Sequence, residues 1–87
     1  MRFEWDPAKA SSNLAKHGVE FGEAIAIWAG RVVEFDTGHS SEPRVVALGA
    51  TDGVVLAVVY TPRGDVRRII SAPFASRQER RRYAEAE

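Results

Sequence analysis

Apolar and polar residues recur with two different periods along this chain, and the changes of period divide it into elements. Residues 1–5 alternate every second position, with Phe3 and Trp5 on one side, which predicts a short strand. Asp6-Pro7 then reads as a helix start, because aspartate caps free amides and proline's fixed φ suits the first helical position. Ala10, Asn13, Leu14 and His17 follow at helical spacing, and Gly18 supplies the stop. A second helix is expected over residues 21–29, where Phe21, Ala24, Ile25 and Trp28 form one apolar stripe.

The period of two returns after Gly30. Residues 31–35 predict a strand, followed by a polar loop over 37–43 in which His39 has no defined partner. Residues 44–51 and 54–61 flank Asp52-Gly53, a strong two-residue hairpin signal, since both residue types tolerate positive φ. A second turn is expected at 62–65 and a last strand at 66–72. Ser76 and Glu79 stand at capping-box spacing and open a C-terminal helix with four arginines and little apolar surface beyond Tyr83 and Ala84. The order predicts one α+β domain over residues 1–87. Two N-terminal helices would pack on one face of a twisted antiparallel sheet of four to five strands, with a C-terminal helix behind. The opposite sheet face is left for a ligand or for the last helix.

Composition narrows the class. The chain has 87 residues and no cysteine, so disulfides and cysteine metal sites are out, in keeping with a reducing cytoplasm. Its first residues contain no apolar run of the signal-peptide kind, and its longest apolar stretch, 54–60, is too short to span a bilayer. The formal net charge of zero hides a split. Between residues 61 and 83 seven arginines face only Asp65 and Glu79, which leaves +5, whereas residues 1–60 carry five basic and eight acidic side chains. Every cation of the basic stretch is arginine, whose planar fork matches phosphate oxygens better than a lysine point charge does. The pattern points to a phosphate-reading face.

Several spaced blocks share a further property. Phe3-Glu4-Trp5-Asp6, Asn13, Lys16-His17-Gly18-Val19 and Phe21-x-x-Ala24 resemble the N-terminal signature of the BrnT family. Val58-Val59-Tyr60-Thr61, Arg68-Ile69-Ile70-Ser71-Ala72 and Glu79-Arg80-Arg81-Arg82-Tyr83 resemble its C-terminal half. The resemblance implies a RelE-like fold and the toxin of a type II toxin–antitoxin pair, a ribonuclease that arrests translation. It also implies a BrnA-like antitoxin as partner, with DNA reached only indirectly through the antitoxin complex. Two departures stand out. Pro73 occupies the usually basic position after Ile-Ser-Ala, and an arginine required there for cleavage would leave this chain weakened. Glu20 replaces the usual Ser-type cap of the second helix, a change that costs about 1 kcal/mol.

Metal-free RNA cleavage needs a group to take the 2′-hydroxyl proton, a cation on the phosphorane and a donor to the leaving oxygen. Arg63, Arg67, Arg68, Arg77, Arg80 and Arg81 are the candidate phosphate ligands, set against a reading in which they form a solvated or antitoxin-binding surface. Neighbours on a strand point to opposite faces, so Arg67 and Arg68 cannot serve one face together. Arg67 is preferred, with Arg63, while Arg68 shares parity with Val66 and Ile70 and is expected to clamp a helix. His17 and Tyr83 are the candidate proton carriers, the first also readable as a helix-ending cap and the second as the apolar anchor of its helix. No metal or cofactor is expected, RNA is the expected substrate, and a homodimer is compatible with the chain's size. The alternative is a non-enzymatic module that acts through its protein partner, for example within a repressor complex.

Overall fold

The computed structural model describes residues 1–38 and 41–86. Five strands form one sheet: β1 (Arg2–Trp5), β2 (Val32–Asp36), β3 (Val45–Thr51), β4 (Val54–Arg63) and β5 (Val66–Ser71). Helix α1 (Pro7–His17) and α2 (Phe21–Ala24) precede β2, with a 3-10 helix (Ile25–Ala29) directly after α2, and α3 (Arg77–Glu85) closes the chain. The order across the sheet is β1-β5-β4-β3-β2. Strands β2 to β5 pair antiparallel, as expected, but β1 lies parallel to β5, with Phe3 beside Arg67 and Trp5 beside Ile69. The sheet is therefore mixed. A parallel neighbour needs a crossover connection, and everything between residues 6 and 65 supplies it.

Local signals act as the sequence implies. Asp6 accepts from the Ala8 amide at 2.8 Å, Pro7 opens α1, and Gly18 at φ 71° ends it by donating its N–H to the Leu14 carbonyl. Asp52 and Gly53 both take positive φ, 53° and 75°, so the β3–β4 hairpin closes through two left-handed residues. Strand β4 continues to Arg63, which shortens the next turn to Gly64-Asp65. Ser76 and Glu79 make both bonds of the capping box, at 3.1 and 2.8 Å.

The second predicted helix is corrected. Only residues 21–24 are α-helical, and 25–29 tighten into the 3-10 form. Its fully buried positions are Phe21, Ala24 and Ile27, a spacing of three that the 3-10 turn keeps on one face beyond Ala24. No side chain caps its start at Glu20. The 3-10 segment presses so closely on β3 that a Cβ at Gly49 would stand 2.6 Å from the Ile27 Cβ. Only glycine permits that approach.

Both sheet faces are covered, so the molecule has three layers rather than two. On one face α1, α2 and the 3-10 helix enclose Phe21, Ile27, Val58, Tyr60 and Ile69, joined by half-buried Phe3, Trp5 and Trp28. On the other, α3 lays Tyr83 against Val46, Leu48 and Ala57, with Val33, Phe35 and Val59 around them. Buried Asn13 pins the layers together: its amide donates to the Val19 and Ala72 carbonyls at 3.0 and 3.2 Å, and its oxygen accepts the Ala72 N–H at 3.0 Å. Among the described residues no helix is long and apolar enough to cross a membrane.

Candidate active site

Register divides the arginines between the faces. Residues opposite each other on neighbouring strands share a face. Pro62 stands opposite Arg67 and Arg63 opposite Val66, so Arg67 faces the α1–α2 layer while Arg63 projects on the α3 side. The expected pairing of Arg63 with Arg67 does not form, because four residues across a two-residue turn bring opposite parities together. Arg68 shares the α3-side face, as Thr61 opposite it does, and bonds Glu4 of β1 at 3.0 Å instead of clamping a helix. That half-exposed pair contributes little stability, under about 1 kcal/mol.

Arg67 is the one strand arginine with an unusual setting. Its guanidinium lies 5.5 Å from the Trp28 ring centre and 5.3 Å from that of Tyr60. Guanidinium is attracted to the negative ring face, and partial loss of water strengthens that attraction. Its Nε is buried with no hydrogen-bond partner, as is that of Arg44, so it is the contact with the two rings that sets Arg67 apart. An orphaned buried donor is rare in a folded protein and calls for a physical explanation.

The surrounding side chains complete a polar cluster. Glu34 of β2 accepts from the Tyr60 hydroxyl at 2.8 Å through Oε1 and from the Trp28 indole N–H at 3.1 Å through Oε2. Trp28 packs edge-on to Tyr60 and against Phe3, with ring centres 5.6 and 5.2 Å apart. Burial, and then the bond to Glu34, push the Tyr60 hydroxyl above its ordinary pKa, while Arg67 pulls it back. The phenol therefore stays protonated through the neutral range beside an exposed carboxylate and a cation. A carboxylate, a protonated phenol and a guanidinium are the acceptor, donor and electrophile that phosphate-ester chemistry calls for.

None of Trp28, Glu34 or Tyr60 stands out as a functional candidate in the sequence. The available signal was Glu34 itself, an acid within an otherwise apolar strand segment, Val32-Val33-Glu34-Phe35.

The remaining candidates lie elsewhere. Tyr83 is on the opposite face, where its hydroxyl donates to the Arg31 carbonyl at 3.0 Å and Arg31 stacks 4.0 Å over its ring. The Arg31 guanidinium also donates to the carbonyls of Tyr83 and Ala86, both at 2.9 Å, which closes the C-terminus of α3. Arg80 donates to the Ala75 carbonyl at 2.9 Å and holds the segment leading into α3. Arg82 lies 3.9 Å over Phe35, whereas Arg77 and Arg81 project into solvent. His17 is exposed at the end of α1 and lines a shallow cleft with Lys9, Ser12, Asn13, Lys16 and Ser71. His39 lies outside the described residues. Pro73 offers its carbonyl to the Ala57 N–H at 3.0 Å, so at this position proline preserves the pairing with β4.

Fold and cluster together define a small α+β protein with a half-buried guanidinium set among aromatic and acidic groups. The sequence profile of the BrnT ribonuclease toxins of type II toxin–antitoxin systems matches residues 5–79. The chain belongs to that family. No curated protein matches it closely enough to count as a relative.

Proposed function

We propose that this chain cuts RNA without a metal, with Arg67 holding the scissile phosphate, and so arrests translation in the cytoplasm until a BrnA-like antitoxin neutralises it. Membership of a ribonuclease toxin family supports the toxin role and a cognate antitoxin partner. The observation that carries the rest is the Arg67 guanidinium set beside the Trp28 and Tyr60 rings, both of which are bonded to Glu34. A guanidinium prearranged in a partly dry setting stabilises charge on a phosphorane without reorganising at the moment of reaction. Arg63, Arg68, Arg77, Arg80 and Arg81 are secondary in this reading and serve the RNA strand or the antitoxin surface. His17 and Tyr83 carry no proton in it, since Tyr83 lies on the opposite face and His17 at the far end of α1.

Induced expression in a bacterium tests the proposal, with growth and RNA integrity followed for the wild type and Arg67→Ala. Growth arrest with fragmented RNA, both lost in Arg67→Ala, is the expected result. Harmless accumulation of the folded wild type would sink it. Pro73→Arg belongs beside them, because a gain of toxicity there would show that the proline weakens this chain.

A further inference from the structure

The Glu34–Tyr60–Trp28 arrangement goes further than phosphate binding, and its assignment rests on the ribonuclease reading of the same site. We propose that Glu34 is the general base of the cleavage and Tyr60 its general acid, acting on a ribose–phosphate junction whose phosphate is held by Arg67.

Glu34 has the geometry for the task. Both carboxylate oxygens are fixed, Oε1 by Tyr60 and Oε2 by Trp28, yet a carboxylate accepts about four hydrogen bonds, so a lone pair on each oxygen is left over. The side chain is exposed, so an RNA strand crossing the rim of the sheet reaches it. Two donors held on rigid elements orient it, one on the 3-10 helix and one on the central strand β4. Trp28 is then a positioning residue: its indole N–H holds the carboxylate, and its ring supports the Arg67 guanidinium.

The proton transfers balance. The 2′-hydroxyl gives its proton to Glu34 as the 2′-oxygen attacks phosphorus, and Arg67 faces the charge that gathers on the phosphorane oxygens. The bond from phosphorus to the 5′-oxygen then breaks, and that oxygen takes the Tyr60 proton. Products are a 2′,3′-cyclic phosphate and a 5′-hydroxyl. The short bond between Tyr60 and Glu34 returns the proton from the carboxylic acid to the phenolate, which restores both groups. Glu34 is bonded to the Tyr60 hydroxyl from β4 and the Trp28 indole from the 3-10 helix, and Arg67 of β5 lies beside the rings of both.

The test uses the purified full chain and an RNA oligonucleotide, read by single-turnover cleavage, RNA binding and end-group analysis across pH. Glu34→Gln is expected to slow cleavage by about 10²–10⁴-fold with RNA binding retained, and Glu34→Asp to fall between it and the wild type. Tyr60→Phe slows cleavage by about 10²-fold or more. Trp28→Phe, which keeps an aromatic ring but loses the indole N–H, is expected to lower the single-turnover cleavage rate with RNA binding and thermal stability held, a split that loss of packing alone would not produce. Wild-type cleavage rates in Glu34→Gln would overturn this inference and leave the ribonuclease reading standing. A wild type that binds RNA but never cuts it would overturn both.

Discussion

The two faces of the sheet carry the same cation in different employment. On the α3 face, Arg31, Arg80 and Arg82 are occupied with carbonyls and aromatic rings that hold the last helix in place. On the α1–α2 face, Arg67 has rings beneath it, a carboxylate and phenol nearby, and a buried N–H without a partner. A run of seven arginines is thus mostly structural or solvent-facing, and strand parity singles out one. The number of charges in a stretch says little about chemistry. What the neighbours leave unsatisfied says more.

That contrast can be broken experimentally, most severely at Arg67. Arg67→Ala is expected to lower RNA cleavage by about 10²–10³-fold, whereas Arg81→Ala on α3 leaves it nearly unchanged. Comparable losses from both would erase the distinction between the faces. Asn13→Ala, which leaves the Ala72 N–H and two carbonyls unpaired in the interior, should cost about 3 kcal/mol in urea denaturation. Tyr83→Ala removes the apolar anchor of α3 and should cost about 2 kcal/mol, with amide exchange accelerated in α3 before the sheet. A uniform acceleration across the chain would show that α3 is no separate layer.

The subtlest difference is in titration. Folding raises the pKa of Tyr60 above the value near 10 of an unfolded tyrosine, so the native state holds this proton more tightly. The stability that this contributes is complete below about pH 10 and is lost as pH rises through the folded value. In a Tyr83→Phe background, where Tyr60 is the remaining tyrosine, the phenolate absorbance should emerge late and alkaline destabilisation should accompany it. Ionisation at the ordinary value would show that Tyr60 is not sealed against Glu34.

Much of the fold was legible because its signals are local. Asp6-Pro7, Gly18, Asp52-Gly53 and Ser76-x-x-Glu79 each act within a few residues, and each does so here. What escaped is non-local. Whether β1 runs parallel or antiparallel to its neighbour depends on partners more than sixty residues away, and the period of three in Phe21, Ala24 and Ile27 hides inside an equally plausible α-stripe. Arg67 was singled out in the sequence, but the rest of the candidate site escaped for the same reason. Trp28, Glu34, Tyr60 and Arg67 come from four elements, and no spacing in the chain announces that they meet. The face of Arg63 was misread because the expected turn at 62–65 contained it, whereas β4 continues through it and strand parity sends it to the side opposite Arg67.

The parallel seam between β1 and β5 has a consequence in time. Glu4 waits for Arg68 and Asn13 for the Ala72 amide, separations of 64 and 59 residues. A chain growing from its N-terminus cannot close these contacts until Arg68 and Ala72 have been made. Arg67 reaches Trp28 and Tyr60 only at that stage. A nascent copy therefore lacks this four-residue cluster until β5 has been synthesised and can fold onto the sheet.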